Sequence, residues 1–223
     1  MKNTIAKYWK YVPNKVQAKI NNIFDIDHEI IYSEGYFEFV NREASKSSPV
    51  IAESIVETFT PSEVLDVGCG TGALLRSLKN KKVNVLGMEK SKKAIKMCKK
   101  KGVDVIKFDI VHDKDPFPER KFDIVTSMEV AEHIPESASK EYLNLLCRHS
   151  QIVIFTAAVP GQGGKNHLNE QPHRYWIERF ENRGYSLLNN VTKKMKKKWQ
   201  SKGVTSWYHK NLMIFSNDHS NNQ

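Results

Sequence analysis

The chain has 223 residues, enough for one α/β domain with a sizeable core and a helical extension but short for a second full domain. No apolar run approaches the roughly 20 residues that cross a bilayer, no apolar leader core follows Met1 to Thr4, and Cys69, Cys98 and Cys147 are too scattered for a disulfide framework or a zinc cluster. A soluble, cytoplasmic protein with reduced thiols is therefore expected; its net charge of +10, with lysines clustered at 92–93, 99–101 and 193–198, admits nucleic acid as a partner, although lysine spread over the whole chain favours ordinary solvated faces.

Residues 1–60 read as a helical extension or lid. Ile5, Tyr8, Trp9 and Val12 are spaced like one apolar face among lysines, and a second helix, introduced by Ser48-Pro49, runs through Ile51, Ile55, Val56 and Phe59 to stop at Thr60-Pro61. From Val64 to residue 216 strands and helices alternate, which predicts an α/β domain with a mostly parallel sheet and helices on both faces. The strands are Val64–Val67, Val83–Met88, Val103–Phe108, Phe122–Thr126 and Ile152–Thr156. Helices start near Gly72 and span Ser91–Lys101, capped by Ser91, and Glu136–Arg148. A glycine-rich polar loop, Ala157–Pro172, is long enough to suggest work beyond connection. Tyr175, Trp176, Ile177 and Phe180 mark a helix ending at Gly184, and Tyr185–Leu188 a strand. A lysine-rich excursion carrying Trp199, Trp207 and Tyr208 separates that strand from the last, Asn211–Phe215. Residues 217–223 read as a disordered tail.

Chemistry concentrates first at Val64-Leu65-Asp66-Val67-Gly68-Cys69-Gly70-Thr71-Gly72. Alternate glycines let the backbone turn tightly and approach a ligand, Cys69 is a small filler, and the helix that follows points its first amides at the loop. Gly68, Gly70 and Ala73 also fit the looser dinucleotide fingerprint, so the glycines leave the nucleotide open. Asp66 separates the readings, because its carboxylate would repel a pyrophosphate and attract the ammonium and sulfonium charges of S-adenosylmethionine. The string resembles the first motif of the class I S-adenosylmethionine-dependent methyltransferases. Glu89 closes the second strand 17 residues beyond Gly72, a placement that suits a carboxylate accepting both ribose hydroxyls. The resemblance implies that Asp109 and Ile110 meet the adenine amino group and ring face. It also implies a Rossmann-like, doubly wound, seven-stranded sheet whose last strand runs antiparallel. Asp66, Gly68, Cys69, Gly70, Gly72, Glu89, Asp109, Ile110 and Met128 are the expected cofactor residues.

Ser127 to Pro135, with Glu129, Glu132 and His133, resembles the fourth motif of the same family. These residues either line the pocket without a metal or bring two carboxylates and an imidazole to one turn able to ligate a divalent ion. The small-RNA ribose 2′-O-methyltransferases use E-x-x-E-H with a distant histidine in that way, a place His167 would take here, though the rest of their pattern is not evident. If extended, Pro160–Pro172 projects His167, Asn169 and Gln171 to one side as a polar comb, with His167 as general base and Asn169 and Gln171 holding the acceptor. The expected activity is O-methylation of a hydroxylated small molecule or glycan, with Glu129 and His133 on the acceptor side and no metal; the polar comb disfavours a flat hydrophobic acceptor. A metal-dependent RNA ribose methyltransferase and a non-catalytic cofactor-binding module are the alternatives.

Overall fold

The computed structural model describes residues 12, 13, 16, 17, 19, 20 and 32–217. Ile5, Tyr8 and Trp9 of the first expected helix, and the tail from residue 218, lie outside the described residues. Helix α1 spans Glu34–Phe59, so its start differs from the one expected at Ser48-Pro49. Ser33 caps it, its Oγ accepting the Tyr36 N–H at 3.3 Å, and Pro49 lies inside. A proline here forfeits the bond to the Ser45 carbonyl and costs about 3 kcal/mol. Ile51 and Ile55 are nonetheless buried in one cluster with Val64, Leu74, Leu78 and Ile124, and two such side chains contribute about 1.5–3 kcal/mol each, which offsets the proline. Packing, not the local breaker, decides where the helix runs.

Seven strands form one sheet: β1 Glu63–Val67, β2 Asn84–Glu89, β3 Val105–Lys107, β4 Ile124–Met128, β5 Ile152–Thr156, β6 Ser186–Leu187 and β7 Met213–Ser216. Their order is β3-β2-β1-β4-β5-β7-β6, parallel except for β7, which runs antiparallel to both β5 and β6. The expected Rossmann-like sheet, with its antiparallel last strand, is the one observed. The described residues also form helices α2 Ala73–Asn80, α3 Lys92–Lys100, α4 Ser139–His149, α5 His173–Glu181, α6 Asn189–Ser201 and α7 Ser206–Asn211, with short 3-10 turns at Ala131–His133 and Glu136–Ala138. Alternate strand residues feed two cores. Leu65, Val125, Val153 and Phe155 pack against Tyr142 and Leu146 of α4 and Trp176 and Phe180 of α5. Val64, Ile124 and Ile154 face α1, α2 and α6, whose Met195 and Trp199 close that side.

Three local expectations change. The lysine-rich excursion folds into α6 and α7, and β4 starts two residues later than expected because Phe122 donates its N–H to His149 O at 2.8 Å before the ladder begins. Residues 157–172 form no strand, so the extended comb of His167, Asn169 and Gln171 is not made. Among the described residues no helix is long and apolar enough to cross a membrane. Strand order reverses between β1, whose next element returns to β2, and β4 on its other side, and a cleft opens beyond the carboxyl ends of these strands.

Candidate active site

β1 ends in the glycine turn. The Gly68 and Cys69 N–H groups both donate to Met88 O, at 2.8 and 3.0 Å, which locks the turn onto the end of β2. Gly68 has φ +78°, and a Cβ there would lie 2.5 Å from Val130 Cγ2. Gly72 is needed for a different reason from the one expected. Its Cβ would meet Cys98 Sγ at 2.9 Å and Val103 Cγ2 at 3.0 Å, so it lets α2 pack beside α3 and lies outside the cavity lining.

Asp66 is buried and accepts a hydrogen bond from Thr126 Oγ1 of β4 at 2.7 Å. Burial pushes its carboxyl up to about 7, against the Thr126 bond and with help from the nearby Glu89 charge. Glu89 is fixed by backbone donors, Oε2 by Gly70 N–H at 2.9 Å and Oε1 by Ser91 N–H at 2.7 Å. Asp109, two residues past β3, binds Lys90 Nζ at 2.8 Å and His112 Nδ1 at 2.9 Å. Burial alone would raise its carboxyl, but these partners and the Val111 N–H bring it to about 2. Asp66, Gly68, Cys69, Gly70, Glu89, Asp109, Ile110 and Met128 all line one cavity of about 670 Å³, within the roughly 300–1,000 Å³ of small-molecule sites. A buried carboxyl at Asp66, the pinned Glu89 carboxylate and glycines at 68 and 70 that bring the backbone to the cavity fit a nucleoside carrying positive charge.

The same cavity reaches Glu129, Glu132, His133 and His167. Glu129 follows β4 at φ +57°, a strained conformation for a residue with a Cβ. Its N–H donates to Thr156 Oγ1 at 2.8 Å, and its carboxylate accepts from Gln162 Nε2 and Asn211 Nδ2, each at 3.1 Å. Burial raises its carboxyl despite these bonds. Glu132, on the next turn, is raised further by burial and by the Glu129 charge, and its buried Oε2 has no hydrogen-bond partner among the described residues. His133 Nδ1 lies 3.0 Å from the Tyr32 hydroxyl, and the His133 and His167 rings meet edge to face with centroids 4.9 Å apart. One ligand atom each from Glu132, His133 and His167 lie within 4.8 Å of one another. Glu129 is not in that group.

Asn169 and Gln171 are placed elsewhere. Asn169 Nδ2 donates to Ser139 Oγ at 3.1 Å and its Oδ1 accepts from Gln171 Nε2 at 2.9 Å, so the pair ties the loop to the start of α4 and neither residue lines the cavity. Their polar groups serve the loop because a loop without a ladder must satisfy itself through side chains. Tyr32, just before α1, Tyr36 and Phe37 in its first turn, and Trp207 and Tyr208 of α7 line the cavity instead. Aromatic side chains thus stand where the polar comb was expected. Nothing in sequence spacing links residue 32 to residue 133; Glu170 and Thr126, by contrast, stand three residues from His167 and inside an expected strand.

A family model described as "Methionine biosynthesis protein MetW" matches residues 50–158. The chain is 36% identical over 93 residues to a ubiquinone biosynthesis O-methyltransferase of Nitrosomonas europaea, covering 39% of each chain, and 38% identical over 84 residues to that of Ralstonia nicotianae, covering 34% of each. It thus spans about two fifths or less of these relatives' length. Among solved structures, magnesium protoporphyrin IX methyltransferase from Synechocystis PCC 6803, with bound SAH, superposes with TM-score 0.56 at 16% identity over 79% of this chain and 82% of that one. The methyltransferase domain of bacterial CtHen1-C superposes with TM-score 0.55 at 17% identity over 78% and 98%. At such identities the likeness is one of fold. Sheet order and glycine turn give the chain the fold of the class I S-adenosylmethionine-dependent methyltransferases, and the matched relatives are similar to it over the part that carries that turn.

Proposed function

We propose that this chain moves a methyl group from S-adenosylmethionine to a hydroxyl of a small-molecule or glycan acceptor, with His167 as the base. One observation carries the reading: a single cavity joins the acids of the glycine turn to the His133–His167 pair. When bound, the cofactor supplies an electrophilic methyl carbon for an in-line displacement. Asp66 and Glu89 hold the positively charged donor, and Tyr32, Tyr36 and Phe37 cover it and keep water out. His167 takes the acceptor proton on Nε2, since Nδ1 is engaged by Glu170 at 2.8 Å. Glu129 and His133 lie on the acceptor side. The matched relatives are O-methyltransferases by name, which supports oxygen as the accepting atom. Trp207 and Tyr208, the latter near enough to Glu129 to feel its charge, favour an acceptor with a flat or apolar ring face.

A second reading rests on the Glu132–His133–His167 group, whose ligand atoms lie within 4.8 Å of one another and would suit a divalent cation and, with it, ribose methylation of RNA. The two are separated by incubating the purified protein with methyl-labelled cofactor and a fractionated extract, with and without chelator. Label should enter a small-molecule or glycan fraction and survive chelation. Loss on chelation with recovery on adding a divalent ion transfers support to the metal reading, and donor affinity unchanged in both Asp66→Ala and Glu89→Ala by calorimetry refutes the cofactor placement.

A further inference from the structure

We propose that Glu170 is a positioning residue that holds the loop between β5 and α5 over the cavity and sets the tautomer of His167, presenting Nε2 to the acceptor. The inference rests on His167 being the proton acceptor, but its geometry stands by itself. Glu170 Oε1 lies 2.8 Å from His167 Nδ1 and accepts the Gly163 N–H at 2.9 Å, while Oε2 accepts the Gly161 N–H at 3.0 Å. Both side chains are nearly enclosed, at 10% and 9% exposure, so water competes weakly for the His167–Glu170 contact, while the Gly161 and Gly163 N–H groups approach Glu170 from the exposed side. The far side of the histidine is anchored as well: Leu168 and Asn169 N–H donate to Glu132 O at 2.7 and 3.0 Å, on the turn that carries His133. The imidazole therefore sits between two fixed points. A carboxylate can only accept, so a neutral His167 must keep its proton on Nδ1 and its lone pair on Nε2.

Gly164 supplies the clearance. A Cβ there would lie 2.1 Å from His167 Nε2 and 2.4 Å from Cε1. Its φ is outside the left-handed region, so alanine is compatible with the backbone and its methyl would act on the imidazole alone. Displacing the ring must lengthen the Glu170 contact. The carboxylate thus holds Nδ1, and the absent glycine Cβ leaves the ring room at Nε2.

The test uses the full-length protein labelled with 15N-histidine. In the wild type, the resonances that vanish in His167→Ala should report the Nδ1–H tautomer. In Glu170→Gln, whose amide can donate to Nδ1, they should shift to the Nε2–H form, and the Gly161 and Gly163 amides should exchange at least about tenfold faster. Gly164→Ala should lose the single-tautomer signature while the glycine amides stay protected, which keeps the idea testable if Glu170→Gln fails to fold. Donor affinity should stay within about twofold in both. An Nε2–H tautomer in the wild type, or tautomer and exchange unchanged in Glu170→Gln, overturns the proposal. Full methyl transfer by His167→Ala, with the Nδ1–H tautomer present in the wild type, would instead remove the base and leave the positioning intact.

Discussion

Asp66 shows how much one side chain draws from its neighbours. Burial holds its carboxyl near 7 while Thr126 donates to it, so below neutral pH it is largely neutral and offers a cation little. Affinity for the cationic donor should therefore rise with pH, by up to ~8-fold between pH 6 and 7.5 if only the ionised form binds. Calorimetry across that range checks it, and Asp66→Asn should flatten the profile; a flat wild-type profile would sink the assignment. The stability sign runs the other way. A folded value raised above 3.8 favours the fold below about pH 4 and costs stability as pH climbs to about 7, a loss that Asp66→Asn should remove. That Asp66, Gly68 and Glu89 line one cavity is legible in the sequence because the turn and the strand ends that place them are local. The places of Asn169 and Gln171 are not, because the strand that would orient them does not form.

Among the elements, α6 is the one whose composition conceals its packing. Its lysines suggest a solvated excursion, yet Thr192, Met195 and Trp199 recur at three- and four-residue spacing and are buried against the sheet. Thr192 Oγ1 also accepts the Ile214 N–H of β7 at 3.2 Å, which ties the helix to the strand beneath it. Trp199→Ala should destabilise the protein by about 3–5 kcal/mol, read as a lower urea midpoint at unchanged slope. A cost under about 1 kcal/mol would mean that α6 is peripheral to the core. Helix α1 teaches the reverse lesson. Ser48-Pro49 looks like a start signal, but the apolar positions on both sides of Pro49 find partners, and their burial carries the helix through it. The proline penalty of about 3 kcal/mol is a local preference, and burial of a few apolar side chains, each of similar size, overrides it.

At the scale of the whole molecule, charge and topology separate. The net charge of +10 does not converge on the cavity, where Lys90 is paired with Asp109 and Lys165 lies over the Tyr36 ring. RNA should accordingly bind to the outer surface without specificity and weaken at least ~100-fold between 50 and 200 mM salt, while donor affinity changes less than about threefold. Fluorescence anisotropy decides this, and RNA held tightly at the higher salt would make it a candidate acceptor. What the sequence determined alone was the period of the strands, the glycine turn and the acids at or near the ends of the first three strands, because these depend on neighbours a few residues away. Only the tertiary structure decided which distant groups meet: Tyr32 with His133, Thr126 with Asp66, and Asn211 with Glu129. Those pairs are set by strand order and by helices docked on both faces, which no spacing along the chain encodes.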